Sequence, residues 1–150
     1  MELSRRQRDI LNGMVLGDAY LKKSSGNNAC LRLEHSYKQV AYMNWKYSEL
    51  EHIFLSEPKM LKRTHPLSKR TYQYVRLQSY TSPLLGEIRL QFYGQNGKQL
   101  PVDLESMLAS SLTIAVWYMD DGYYYQRDRS SHIYLQKFES SEIERLIEEE

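Results

Sequence analysis

The sequence predicts an α+β fold of two tandem, pseudo-symmetric halves, each ordered helix, hairpin, helix, hairpin, helix with antiparallel sheets, the second half being incomplete. Three observations predict it. Two apolar runs of helix length, ILNGMVLGDA at 10–19 and TIAVWYMDDG at 113–122, both stop at an aspartate followed by a small residue. Each run leads into the same order of signals, a strand, a polar turn, a strand and a helix, so that Asp18 and Asp121 mark an internal duplication 103 residues apart. The copies are also unequal, because a Gly/Pro connector at 94–101 closes a long first copy whereas only 29 residues follow Asp121. The expected division is a first repeat with its connector at 1–100 and a partial second repeat at 101–150. A second copy of that length is expected to be a fragment, or a half that another chain completes.

Ser4 is placed to cap a helix that runs to Leu16, with Ile10, Leu11, Met14 and Val15 on its apolar side and Gly13 and Gly17 four apart on one face. A strand at 19–23, a turn through Ser24, Ser25, Gly26, Asn27 and Asn28, and a strand at 29–35 come next. Leu31 and Leu33 alternate there with Arg32 and Glu34, the two-residue period of a half-buried strand. Residues 38–55 read as one helix, with Val40, Tyr42, Met43, Tyr47, Leu50, Ile53 and Phe54 for its apolar side, stopping ahead of Pro58. Short strands at 59–63 and 72–78 flank a basic loop at 64–70. Pro83, after Ser82, opens a helix over 83–93, since the first turn has no use for its missing N–H. Beyond the connector, 103–109 and 112–119 read as helices, 122–126 and 131–136 as strands around a polar turn, and a helix begins at Ser140.

Composition narrows the function. At 150 residues and 41% hydrophobic content the chain can bury a core, and it has no run of eighteen apolar residues and no signal-peptide core. It is therefore expected to act where it is made, in the cytoplasm or in the matrix of an organelle that encodes it, away from membranes. One cysteine, Cys30, excludes an internal disulfide and a multi-cysteine zinc site, and the four histidines lack metal-ligand spacing. The formal charge of +1 hides an asymmetry: residues 139–150 hold six glutamates against Arg145, leaving +6 on the rest. A basic body suits a polyanion, and it suits a solvated mixed surface as well. Thirteen tyrosines are more telling, because Tyr20, Tyr123, Tyr124, Tyr125 and Tyr134 fall on predicted hairpins among Lys22, Lys23, Arg32, Arg127 and Arg129. Alternate tyrosines facing a core are the other reading of that pattern.

An aspartate at the C-terminal end of a helix faces the negative pole of the helix dipole, which favours a cation beside it. Two such ends point to one shared cation site. Gly13 and Gly17 on one helix, with Ser111 and Ala115 on the other, would permit close approach and bring Asp18 and Asp121 together. Magnesium takes oxygen ligands and keeps several waters, so one or two carboxylates completed by phosphate oxygens suffice. Repulsion between the carboxylates then favours the ion.

Both runs resemble the signature of the LAGLIDADG homing endonucleases, and the second closely resembles its WYMDDG form. Arg32, Leu33, Glu34, His35 and Ser36, through Tyr42 and Trp45, resemble the stretch that follows the first motif; Tyr93 to Gly97, Lys98 and Pro101 resemble the connector before the second. The resemblance covers about residues 3–150 and implies a site-specific endonuclease that hydrolyses both strands of a DNA duplex with magnesium or manganese. Asp18 and Asp121 map to the metal ligands and catalytic carboxylates, and Lys98 to the connector lysine that steadies transition-state charge or tunes the attacking water. A loop lysine that binds phosphate nonspecifically is the alternative for Lys98. The hairpins would enter the major groove, with Tyr20, Lys22, Lys23, Arg32 and Glu34 from the first copy and Tyr123, Tyr125, Arg127, Arg129, His132 and Tyr134 from the second. Ala19 stands where the family has glycine. Asp120, whose counterpart is Gly17, is a secondary ligand candidate that reads more as a helix-end residue, and His35, which follows the first hairpin towards the DNA, reads more as a structural residue.

Double-stranded DNA is thus the expected partner, with intron RNA as a further one. A complete chain would act as a monomer, and a truncated one as a dimer or by segment exchange. Tyr118 to Asp121 also spells the YMDD box of reverse transcriptases, which needs a strand hairpin inside a much larger polymerase. The stronger rival is a DNA-binding regulator or an RNA maturase that keeps the fold without cutting. Retention of both aspartates favours a nuclease, because a pure binder gains nothing from two mutually repelling carboxylates.

Overall fold

The structure is a computed structural model that describes residues 2–95, 97–125 and 130–133, with 123–125 and 130–133 described by their backbone alone. Along the chain the elements are α1 (Arg5–Leu16), β1 (Tyr20–Lys23), β2 (Ala29–Ser36), α2 (Val40–Glu49), β3 (Lys59–Thr64), β4 (Thr71–Gln78), α3 (Pro83–Phe92), β5 (Tyr93–Gly94), β6 (Gly97–Lys98), α4 (Leu104–Leu108), α5 (Ser111–Asp121), β7 (Gly122–Tyr125) and β8 (Ser130–Ile133). They fall into two compact units, Ala19–Gly86 and the pair Glu2–Asp18 with Glu87–Glu150. These units cut across the sequence repeats, because the first motif helix belongs with the C-terminal half.

The first unit is a four-stranded antiparallel sheet of order β1-β2-β4-β3 with α2. Leu21 pairs with Leu31 and Leu33 with Leu77, so one face of the sheet carries the buried apolar residues. Gly26, at φ +63°, turns the β1–β2 hairpin, a conformation that costs a residue with a Cβ. The helix expected over 38–55 is divided. A 3-10 turn at Tyr37–Gln39 starts on the Ser36 hydroxyl, which accepts the Lys38 N–H, and a second at Glu51–Ile53 follows α2. Leu50, at φ −126°, leaves the helical region while its N–H is shared by the carbonyls of Lys46 and Tyr47. That tightening buries Leu50 and Ile53 together and sets the Phe54 ring 6.2 Å from Tyr47.

In the second unit α1 begins at a reciprocal cap: the Gln7 N–H donates to Ser4 Oγ at 3.1 Å and the Ser4 N–H to Gln7 Oε1 at 2.9 Å. Its buried residues run from Ile10 to Leu16, and Phe92, Leu104, Val116 and Trp117 supply further core. The connector holds a two-stranded turn, β5 with β6, in which Gly97 takes φ +97°. The order α5, β7, β8 repeats the order α1, β1, β2, as the duplication predicts. The strands and helix expected beyond 133 lie outside the described residues. No described helix is long and apolar enough to cross a membrane.

Candidate active site and nucleic-acid face

Within the second unit α1 and α5 meet at backbone distance. A Cβ added to Gly13 would lie 2.7 Å from the Thr113 carbonyl oxygen and 2.7 Å from Val116 Cβ, and one added to Gly17 would lie 2.5 Å from Asp120 Oδ2. The Thr113 hydroxyl donates to the Asp9 carbonyl at 2.9 Å and ties the two helices. The facing stripe of α5 is therefore Thr113, Val116 and Asp120, spaced three and four apart as a 3.6-residue period requires. Ser111 and Ala115, the expected partners of the glycines, are instead exposed. The expectation of small residues on both helices is thus corrected: only α1 supplies them.

The stripe ends in a carboxylate. The Asp18 N–H donates to Asp120 Oδ2 at 3.1 Å, and carboxylate oxygens of Asp18 and Asp120 approach within 4.8 Å. Lys98, carried by β6, donates from Nζ to the Gly17 carbonyl at 2.9 Å and so brings a cation to the negative pole of α1. Asp18 is exposed, whereas Asp120 and Asp121 are half-buried. Asp121 is the last residue of α5, one step around the helix from the stripe. The structure thus sets Asp120 beside Asp18, although the sequence pattern pairs Asp18 with Asp121. The carboxylates of Asp18 and Asp120 are hard oxygen donors, which fit magnesium or manganese. Asp18 and Asp120 have oxygens close enough to share such an ion, and Asp121 is the adjacent carboxylate.

In the first unit the other sheet face carries Tyr20, Lys22, Arg32 and Glu34, which share a side because Tyr20 pairs with Arg32 and strand residues alternate. Lys23 falls on the opposite side, paired with Ala29. The register adds residues that sequence reasoning missed: Arg76 pairs with both Glu34 and Lys59, and Arg63 with Tyr72. Five cations, Lys22, Arg32, Lys59, Arg63 and Arg76, thereby face the same way as one carboxylate, Glu34. That face is a basic surface suited to phosphates and base edges. In the second hairpin Tyr123 pairs with His132 and Tyr125 with Ser130. Arg127, Arg129 and Tyr134 lie outside the described residues.

His35 is buried, with Nε2 2.8 Å from the Nζ of Lys46, itself fully buried and 4.2 Å from the centre of the Tyr42 ring. A structural role for His35 agrees with that burial. Nothing in the pattern of α2 singled out Lys46.

The sequence matches the model of the LAGLIDADG DNA endonuclease family over residues 8–149. It is 27% identical over 150 residues to probable intron-encoded endonuclease 1 of Wickerhamomyces canadensis, covering 97% of this chain and 64% of that protein. It is 30% identical over 132 residues to the protein RecA of Mycobacterium gastri, covering 85% of this chain and 29% of that protein. The chain thus spans less than two thirds of the length of these relatives. Among solved structures, the homing endonuclease I-WcaI bound to its DNA recognition sequence superposes with a TM-score of 0.87 at 24% identity, over 99% of this chain and 67% of that one. That likeness establishes the fold: mixed helices and antiparallel sheet.

Proposed function

The chain belongs to the LAGLIDADG DNA endonuclease family, and we propose that it is a site-specific endonuclease of the homing type, hydrolysing phosphodiester bonds of double-stranded DNA with a divalent metal, magnesium or manganese. The observation that carries this reading is the meeting of the two motif helices. Gly13 and Gly17 let α5 approach until the oxygens of Asp18 and Asp120 are within 4.8 Å.

Asp18 and Asp120, with Asp121 next in the chain, are the residues that would hold the ion. A bound divalent ion supplies Lewis acidity at the phosphate and an acidified water. The residues of the chain do the rest. Lys98, bonded to the carbonyl just before Asp18, offsets the negative pole of α1 and would stabilise charge that builds on the phosphate. The Asp18 peptide N–H holds the Asp120 carboxylate in one orientation, so the oxygen pair is preorganised. The basic sheet face of the first unit supplies phosphate contacts and base contacts, and the basic loop beside it extends the footprint.

The test is incubation with a randomised duplex library, once with magnesium and once with calcium, sequencing bound DNA and newly cut ends. The reading expects magnesium-dependent ends at one recurring long site, lost in Asp18→Asn while binding persists. Specific binding without ends in magnesium or manganese would overturn the nuclease in favour of a regulator. Preferential capture of structured RNA over any duplex would replace it with a maturase-like role.

A further inference from the structure

On the basic sheet face Glu34 is the anomaly, since a carboxylate there repels the phosphates that the proposed function brings to it. Its contacts explain it. Glu34 Oε1 accepts from Arg76 Nε at 3.0 Å and lies 2.8 Å from Arg76 Nη2, while Oε2 lies 3.7 Å from Arg63 Nη2. Arg76 is the direct cross-strand neighbour of Glu34. Arg63 is not, because it sits one strand further across, in register with Tyr72. Its guanidinium reaches back over the Tyr74 ring, with Cζ 4.7 Å from the centroid and Nη2 3.4 Å from the Tyr74 hydroxyl, and Arg76 flanks the same ring at 5.8 Å. One carboxylate and one aromatic ring therefore fix two arginines that belong to two strands.

We propose that Glu34 is a positioning residue for sequence recognition: it orients Arg63 and Arg76, which read base edges in the bound duplex. The inference rests on the DNA-binding reading above and makes it more specific. Arginine forks are suited to the paired acceptors of guanine, and a fork already held over a ring and beside a carboxylate loses less side-chain freedom on binding than a free one. The side chain of Arg63 keeps 63% of its surface exposed despite these contacts, so it stays reachable, whereas that of Arg76 keeps 25%. Arg63 is thus the primary reader and Arg76 the second, more buried reader beside it. A simple cross-strand ion pair would have satisfied Glu34 with Arg76 alone; the recruitment of Arg63 across a strand is what a pairing role leaves unexplained.

The charge of Glu34 makes the test decisive. Removing it raises attraction for any DNA, so a positioning role predicts that affinity and discrimination move in opposite directions. The experiment measures binding, in calcium, of the wild-type chain and of Glu34→Gln, Glu34→Asp, Arg63→Ala and Arg76→Ala to the site selected from a randomised library and to its single-base variants. Arg63→Ala should relax preference at one or two base pairs by about tenfold. Glu34→Gln should relax the same positions while binding random duplex as tightly as the wild type or tighter, and Glu34→Asp should restore part of the preference. Melting temperatures identify any variant that fails to fold, in which case the Arg63→Ala and Glu34→Asp profiles decide. Unchanged preference in Glu34→Gln, or in Arg63→Ala, overturns the inference while leaving the endonuclease reading intact. A wild-type chain with no base preference at all overturns both.

Discussion

Replacing Gly13 by alanine sets two effects of known size against each other. Alanine inside a helix is favoured over glycine by about 1 kcal/mol, so sequence propensity alone predicts stabilisation. The added Cβ, however, would stand 2.7 Å from the Thr113 carbonyl and from Val116 Cβ, where ordinary contact begins at 3.4 Å. Both obstacles are backbone or branch-point atoms that cannot swing aside, so α1 and α5 must part by about 0.7 Å, and overpacking of this kind costs about 1–3 kcal/mol. The net is a loss of about 0–2 kcal/mol, or up to about 8 °C in Tm for a chain of this length. Activity should fall further, because the oxygens of Asp18 and Asp120 sit at the end of the same helix contact and a misplacement near 1 Å costs about 100-fold in rate. Calorimetry with magnesium-dependent cleavage of the selected site measures both. Ala115→Gly is the control, an exposed position on α5 where about 1 kcal/mol should be lost with cleavage kept. A Gly13→Ala chain that melts higher than the wild type and cuts at full rate would refute the close packing of these helices.

Three further substitutions probe separate contacts. Gly86→Ala places a Cβ 1.6 Å from the Asn27 carbonyl oxygen, so the start of α3 and the β1–β2 turn cannot both keep their positions; a loss above about 3 kcal/mol in urea unfolding, or no folded protein, is expected. Thr113→Val keeps the shape of a buried side chain but removes its donor to the Asp9 carbonyl, which should cost about 1–2 kcal/mol in the same assay. Lys98→Met separates the two readings of that lysine: a role at the reacting phosphate lowers the cleavage rate with binding nearly kept, whereas simple phosphate binding lowers the salt slope of binding by about one with the rate on bound DNA unchanged.

The local parts of this fold were legible because their causes are local. The Ser4 cap, the glycine turn at Gly26 and the alternation of Leu31 and Leu33 with Arg32 and Glu34 each sit within a few residues of what they determine. The cation implied by an aspartate at a helix C-terminus was also legible as a need, and Lys98 meets part of it from eighty-one residues away. What was illegible depends on strand order. Nothing in the sequence says that β2 pairs with β4 rather than β3, and only that pairing brings Arg76 to Glu34 and carries Arg63 over Tyr74. The single helix read over 38–55 failed for a related reason: its apolar residues satisfy a helical period, but burial of Leu50 and Ile53 is better served by a tight turn. The facing stripe of α5 was misread by choosing residues for size, when the helical phase that includes Thr113 selects them.

That phase also accounts for the unequal ends of the two motifs. Gly17 and Asp120 occupy the same motif position, one before Asp18 and Asp121, and in the structure they face each other. A pair of helices this close has room for one side chain at that level: the carboxylate of Asp120 fills it and accepts the Asp18 N–H, so residue 17 must have none. The doubled aspartate of the second motif then divides its tasks, Asp120 joining the helix ends and Asp121 standing next to them at the terminus. A double-mutant cycle tests the argument. Gly17→Ala alone should destabilise, since its Cβ would meet Asp120 Oδ2 at 2.5 Å, and Asp120→Gly alone should destabilise by losing the hydrogen bond to the Asp18 amide. If the two side chains compete for one space, the pair should be more stable than the sum of the single losses, with a coupling of about 1 kcal/mol or more in urea unfolding. Additive losses would mean that the helix ends have room for both, and that the glycine in the first motif needs another cause.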